Sequence, residues 1–268
     1  MNECYGADRI GRQFQAAGAS NRAVLIPYVT LGYPTPEDSL TLARAAIEGG
    51  ADILELGIPF SDPLADGPVI QRATHTALKS GTTVVLCLEL AAQLRAIYPQ
   101  VPLVFMGYLN PILAFGEAAF CRACREVGVD GLIVPDLPPE EGESIEKLCR
   151  ENGLALIYLV APNTPNDRLR IICERSQGYV YLVSVTGTTG ARANTSAELP
   201  EFVARVRAIT ATPLAVGFGI STPEQARAVG EIADGVIVGS AVVQRCESKG
   251  AETEVRTFVS ELRGAMIR

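Results

Sequence analysis

One local pattern recurs along the chain and limits its fold more than any other feature: glycine, a short spacer, then an apolar run that stops at glycine or proline. It reads Gly49-Gly50-Ala51-Asp52-Ile53-Leu54 up to Gly57 and returns as Gly128-Val129-Asp130-Gly131-Leu132-Ile133-Val134-Pro135. It recurs as Gly153-Leu154 through Val160 and as Ala233-Asp234-Gly235-Val236-Ile237-Val238-Gly239. Short unbroken apolar runs between turn signals suit strands buried on both faces. Glycine between a helix and such a run suits a helix C-cap. Extended along the chain, the pattern predicts eight strands, at 23–30, 53–57, 103–106, 131–135, 154–160, 179–184, 214–217 and 235–238. Helical patterns fill the intervals at 36–48, 83–98, 111–127, 140–151, 166–176, 199–209 and 223–231, with a further helix at 8–17 and a closing one at 252–265. Thr35-Pro36 and Thr222-Pro223-Glu224 carry helix-start chemistry. Strand–helix alternation repeated eight times argues for a closed parallel barrel over a doubly wound sheet. The expected architecture is an α/β chain of one domain over 1–268: a (β/α)8 TIM barrel with an extra N-terminal helix. The length of 268 residues and the 48% hydrophobic content suit such a barrel without disulfide or metal staples.

Composition then removes whole classes of function. The net charge of −7 and the absence of a Lys/Arg cluster exclude nucleic acid as an expected partner. No apolar run is long enough to span a membrane, and residues 1–13 lack an apolar signal core. Seven scattered cysteines, an odd number, predict a reducing cytoplasm. Cys121 and Cys124 form a C-x-x-C pair, but inside a helical pattern and without a second ligand pair, so they read as packing residues. The only lysines are Lys79, Lys147 and Lys249, and none falls at the C-terminal end of a predicted strand, where an imine-forming lysine would have to stand. The single histidine, His75, reads as a surface or packing residue, which leaves a metal-dependent aldolase short of nitrogen ligands.

Carboxylates remain. Catalysis in such barrels sits on the loops after the strands. Glu55 lies within Ile53-Leu54-Glu55-Leu56-Gly57, where alternation sends Ile53, Glu55 and Gly57 to one face and the two leucines to the other. With the leucines against the outer helices, Glu55 points into the barrel. A desolvated carboxyl there is either a proton-transfer residue with a raised pKa or a structural group held by hydrogen bonds. Asp66, before Gly67-Pro68, is either a second carboxylate facing the same pocket or an Asx-turn residue. Asp62 before Pro63 reads as a turn residue. Late in the chain, Thr186-Gly187-Thr188-Thr189-Gly190-Ala191-Arg192, Gly217-Phe218-Gly219-Ile220-Ser221 and Gly239-Ser240-Ala241 place glycine-bearing loops after three consecutive strands. Together they predict a phosphate-binding barrel, because glycine lets backbone N–H groups approach oxygens. No nucleotide P-loop pattern is present. The long 185–199 segment is expected to be a lid over the site, with Thr189 reaching inward.

The run Leu54-Glu55-Leu56-Gly57-Ile58-Pro59-Phe60-Ser61-Asp62-Pro63-Leu64-Ala65-Asp66-Gly67-Pro68-Val69-Ile70-Gln71 resembles the signature of tryptophan synthase alpha chains. The resemblance extends along the chain through Ile26-Pro27-Tyr28-Val29-Thr30-Leu31-Gly32-Tyr33-Pro34, Met106-Gly107-Tyr108-Leu109-Asn110-Pro111 and Val134-Pro135-Asp136-Leu137-Pro138, and through Ser184-Val185-Thr186-Gly187-Thr188-Thr189-Gly190-Ala191-Arg192 and Gly217-Phe218-Gly219-Ile220. It implies a lyase that splits indole-3-glycerol phosphate into indole and glyceraldehyde 3-phosphate. It implies Glu55 as general acid/base and Asp66 as the partner of the indole N–H. It also implies phosphate binding by Gly190, Gly219, Gly239 and Ser240, and an indole pocket of Tyr28, Ile70, Met106, Tyr108, Ile133, Tyr181 and Phe218. No cofactor is implied for this chain; pyridoxal phosphate is expected in a tryptophan synthase beta chain, two of which would pair with two alpha chains. The 57–70 and 185–199 loops are the expected docking surface. Two departures stand out: Tyr28 where some members have Phe, and Tyr33 in place of the Asp of a common Gly-Asp-Pro, a change expected to bear on partner contacts. Three other readings stay open at this level: a free-standing indole-releasing lyase, a phosphate-binding isomerase that uses Glu55 as a carbon-proton base, and a non-catalytic barrel that only activates a partner.

Overall fold

The structure, a computed structural model, describes residues 6–183, 198–217 and 219–267. Its strands are β1 (Val24–Thr30), β2 (Leu54–Gly57), β3 (Leu103–Met106), β4 (Gly131–Ile133), β5 (Ala155–Ile157), β6 (Leu159–Val160), β7 (Val180–Val183), β8 (Leu214–Gly217) and β9 (Gly235–Val238). The helices are α1 (Ala7–Ala19), α2 (Pro36–Glu48), α3 (Pro68–Lys79), α4 (Val84–Ile97), α5 (Leu109–Phe115), α6 (Glu117–Glu126), α7 (Glu143–Glu151), α8 (Asn166–Arg175), α9 (Leu199–Arg207), α10 (Pro223–Ile232), α11 (Ser240–Arg245) and α12 (Ala251–Ala265). All strand pairs are parallel, in the order β5-β4-β3-β2-β1-β9-β8-β7-β6. The two ends of that order, β5 and β6, are halves of one run of chain separated only by Tyr158, so the sheet closes into a (β/α)8 barrel.

Tyr158 corrects the expectation of one continuous strand over 154–160. β5 pairs with β4 and β6 with β7, and the chain changes partner between them. The Tyr158 N–H turns to Ser176 Oγ at 3.1 Å, and its hydroxyl donates to Glu146 Oε1 at 2.6 Å, tying the strand to α7. The single helix expected over 111–127 is also two. Gly116, at φ 91° and ψ 115°, lies outside helical backbone and separates α5 from α6. The short helix α11 follows β9 directly and was not distinct in the sequence pattern. Thr35 and Thr222 do cap α2 and α10, accepting from Asp38 N at 3.1 Å and Gln225 N at 3.3 Å.

Strand register decides which side chains fill the barrel. Tyr28 pairs with Glu55 and Glu55 with Val104; one layer higher, Gly57 pairs with Met106 and Met106 with Ile133. On the other side of β1, Val24 pairs with Gly235, Gly235 with Ala215 and Ala215 with Tyr181. Side chains at paired positions share a face of the sheet. Val24 and Tyr28 lie on one face of β1, so Glu55 shares its face with Gly235, where a Cβ would approach Phe14 of α1, the helix at the barrel floor. That face is the interior, so Glu55 faces inward. The N-terminal end of the barrel is plugged by α1: a Cβ at Gly131 would lie 3.3 Å from Ile10 Cδ1, and one at Gly235 would lie 3.2 Å from Phe14 Cε1.

The recurring sequence pattern has a physical basis at this lower end. Asp52, Asp130 and Asp234 each stand one or two residues before a strand, and each accepts from the backbone of the neighbouring strand: Leu25 N at 2.9 Å, Leu103 N at 2.9 Å and Leu214 N at 2.8 Å. Each also receives arginine: Arg22 and Arg263 at Asp52, Arg9 and Arg95 at Asp130, Arg207 at Asp234. These carboxylates fix strand register by hydrogen-bonding chain groups left open at the strand starts.

Candidate functional site

At the opposite end of the barrel lie the two carboxyls singled out in sequence. Glu55 is 1% exposed, and its Oε2 has no hydrogen-bond partner among the described residues. Burial, followed by the negative charge of Asp66, pushes its carboxyl from the ordinary 4.5 up to about 8. An unpaired carboxylate in this setting would cost several kcal/mol, so the group holds a proton at neutral pH instead. Asp66 lies in the loop after β2, just before α3 starts at Pro68. Burial raises its carboxyl from 3.8 to about 6, and the hydrogen bond from Tyr108 opposes the rise. Tyr108 Oη donates to Asp66 Oδ2 at 3.1 Å and accepts from Ala65 N at 3.0 Å. The tyrosine thus pins the carboxylate and its own loop with one oxygen. Gln71 Nε2 holds the same loop through Asp66 O at 2.9 Å, and the Phe60 ring packs on Tyr108 with centroids 5.3 Å apart. Two inward carboxyls therefore sit in environments that separate their pKa values, an arrangement suited to one acid and one anion at the same pH.

Aromatic and aliphatic groups surround them. Tyr28, Met106, Tyr108, Ile133 and Tyr181 are all buried, and Ile70 is buried on the first turn of α3. Gly57 is required here: a Cβ would lie 1.9 Å from the Tyr28 hydroxyl oxygen. Gly217 has the same role under Tyr181, whose hydroxyl oxygen would meet a Cβ at 2.3 Å. Gly219 has φ 78°, the left-handed region that favours glycine, in the loop after β8. Gly239 precedes α11, which begins at Ser240 immediately beyond β9 and leaves the first N–H groups of a helix at this end of the barrel. Thr189, Gly190 and Phe218, and nearly all of the 185–199 segment, lie outside the described residues. A separate cavity of ≈ 290 Å³ opens beyond β4 and β6, with Pro135, Asp136, Val160, Arg168 and Val183 in its wall, and neither Glu55 nor Asp66 lines it.

Sequence reasoning missed two inner groups. Tyr179 is fully buried, its hydroxyl has no partner among the described residues, and it feels the charge of Glu55. The two-residue period of the strand, which places Tyr179 on the same face as Tyr181, was the signal available. Thr30, two residues after Tyr28, hydrogen-bonds the Tyr28 hydroxyl at 3.3 Å. Tyr33, expected to bear on partner contacts, is buried, and its hydroxyl donates to Glu247 Oε1 at 2.6 Å. His75 is exposed on α3. Cys121 and Cys124 are buried on α6, and no group of three or more His, Cys, Asp or Glu among the described residues is arranged to hold a metal ion.

Comparison with known proteins places this geometry. The tryptophan synthase alpha chain family matches residues 14–265. The tryptophan synthase alpha chain of Dehalococcoides mccartyi is 47% identical over 258 residues, 96% of this chain and 99% of that one. Among solved structures, tryptophan synthase of Mycobacterium tuberculosis superposes with a TM-score of 0.90 at 39% identity, covering 97% of this chain and 98% of the other. The tryptophan synthase alpha chain of Legionella pneumophila superposes with a TM-score of 0.87 at 37% identity, covering 96% and 97%. The chain therefore belongs to the tryptophan synthase alpha chain family, lyases of tryptophan biosynthesis that cleave indole-3-glycerol phosphate to indole and glyceraldehyde 3-phosphate.

Proposed function

We propose that Glu55 and Asp66 carry this retro-aldol cleavage. Breaking the bond between the indole ring and the glycerol side chain needs an electron sink. Protonation at the third carbon of the ring makes one: the ring becomes an iminium-like cation. Glu55, protonated at neutral pH, gives that proton. Asp66, ionised, offsets the positive charge that develops on the ring nitrogen. The side-chain hydroxyl then loses its proton and becomes the carbonyl of glyceraldehyde 3-phosphate, while the carbon–carbon bond pair returns to the ring and restores indole. The proton lost from the hydroxyl equals the proton given to the ring, so a Glu55 that serves both steps ends as it began. The observation that carries the reading is a wholly buried carboxyl whose Oε2 has no hydrogen-bond partner among the described residues, with its pKa pushed up to about 8.

Phosphate is held in this proposal by Gly219, Gly239 and Ser240 together with Gly190, and Thr189 closes the lid. The apolar pocket of Tyr28, Ile70, Met106, Tyr108, Ile133, Tyr181 and Phe218 takes the ring. The chain works as one barrel domain without a cofactor of its own, in a reducing cytoplasm that suits its buried free thiols. It pairs, two and two, with a beta chain that carries pyridoxal phosphate. Leu64, 84% exposed at the tip of the loop after β2, belongs to the docking face.

The experiment is indole release from indole-3-glycerol phosphate by wild type and Glu55→Gln. Glutamine keeps the shape of the side chain and cannot donate the proton, so release is expected to fall by at least about a hundredfold, the lower range for a positioned acid/base. A variant that keeps near-wild-type turnover would defeat the assignment.

A further inference from the structure

Tyr28 lies in the pocket proposed for the ring, and it carries a hydroxyl group. Its surroundings say where that hydroxyl sits. The side chain leaves β1 beside Gly239, between β9 and α11, where a Cβ would be 3.8 Å from Tyr28 Cβ. The ring then runs over Gly57, with its hydroxyl oxygen 1.9 Å from where a Cβ of that residue would be. Tyr28 therefore runs across β1 from beside Gly239 to Gly57, one layer above Glu55, its register partner. Thr30 Oγ1 donates to the Tyr28 hydroxyl oxygen at 3.3 Å. The tyrosine's own proton is not used in that bond. Burial and the nearby charges of Asp66 and Glu55 keep the phenol in its protonated form. Among the described residues the Tyr28 O–H has no acceptor, and a buried O–H left without one favours an acceptor on a ligand, because leaving the bond unmade costs more than the bond returns.

We propose that the Tyr28 hydroxyl binds the glycerol part of the substrate, donating a hydrogen bond to a hydroxyl oxygen on the three-carbon link between phosphate and ring. The inference rests on the catalytic reading above, which puts phosphate at Gly239 and Ser240 and the ring beside Asp66. Between those two ends the substrate presents hydroxyl groups, and Tyr28 spans the same interval. The phenol is thus a specificity-determining group for a hydroxylated linker, distinct from the ring-packing role of its aromatic carbons.

The test compares wild type with Tyr28→Phe using two ligands: indole-3-glycerol phosphate as substrate, and as competitive inhibitor an analogue whose indole and phosphate are joined by an unsubstituted three-carbon chain. With the hydroxylated substrate, kcat/KM is expected to fall roughly three- to tenfold, the size of one neutral hydrogen bond. The inhibition constant of the deoxy analogue is expected to stay unchanged. Equal weakening of both ligands would overturn the proposal, since the hydroxyl would then serve Asp66 or ring packing. An unchanged kcat/KM would overturn it too. Failure of wild type to release indole would instead sink the catalytic reading, and the wild-type arm reports that outcome separately.

Discussion

At the scale of the residue, two carboxyls of one pocket are driven apart by their neighbours. Glu55 has burial and a like charge acting on it, and both push its pKa upward, to about 8. Asp66 has burial opposed by the Tyr108 hydroxyl and stops at about 6. The proposed chemistry needs Glu55 protonated and Asp66 ionised. Activity rises with pH as Asp66 loses its proton and falls as Glu55 loses its own. The profile of kcat/KM for indole release is therefore expected to be bell-shaped, with limbs near 6 and 8, since kcat/KM reports groups of the free enzyme. Tyr108→Phe removes the one interaction that lowers the Asp66 value, so the acid limb should move to higher pH while the alkaline limb stays. Movement of the acid limb to lower pH, or of the alkaline limb alone, would contradict the assignment of the two groups.

Much of this pocket was legible in the sequence because period and punctuation are local. The alternation around Glu55 puts it on the face opposite two leucines, and Gly57 on the same face as Glu55. What alternation does not supply is who lies across the barrel. Tyr179 and Tyr181 lie more than 120 positions further along the chain, and only closure of the sheet brings them onto the same inner face as Glu55. The Tyr108–Asp66 hydrogen bond is likewise a meeting of two loops, after β3 and β2, that no local pattern encodes.

Among the elements, Pro36–Glu48, Leu103–Met106, Leu214–Gly217 and Gly235–Val238 match the boundaries read from sequence, because caps and turns bracket them. The fifth strand and the helical stretch around Gly116 do not match. A break at Tyr158 depends on which neighbour each half pairs with, and the helix break at Gly116 depends on a single backbone conformation. The aspartates at the strand starts show the same contrast in energetic terms. Asp130 is fully buried and accepts from Gly6 N at 3.2 Å, Leu103 N at 2.9 Å and Arg95 at 2.6 Å, with Arg9 as a further partner. Burial still raises its carboxyl pKa against both guanidinium groups, so the cluster adds little net stability while its disruption is expensive. Asp130→Ala leaves two arginines and two N–H groups without their acceptor and is expected to destabilise the fold by about 3–5 kcal/mol in chemical denaturation. Asp234 is more exposed, at 37%, and Asp234→Ala is expected to cost about 1 kcal/mol. Equal losses for the two would refute burial as the deciding variable.

For the whole molecule, the barrel divides its two ends by task. The end plugged by α1 carries the register-fixing aspartates, and the other carries the carboxyl pair, the glycine loops and the exposed Leu64. Leu64→Ser should weaken association with a beta chain by about tenfold, the scale of burying part of one leucine, in a titration followed by calorimetry. Intrinsic indole release by the isolated chain should be unaffected, and unaltered beta-chain affinity would remove Leu64 from the docking face. The whole account depends on one proton inside the barrel. Titrating the carboxyl carbon of Glu55 by NMR, with Glu55→Gln to identify the signal, measures it directly. A midpoint near 8 is the result the structure predicts; a midpoint in the ordinary glutamate range, near 4.5, would leave the ring without its acid at neutral pH and contradict the mechanism.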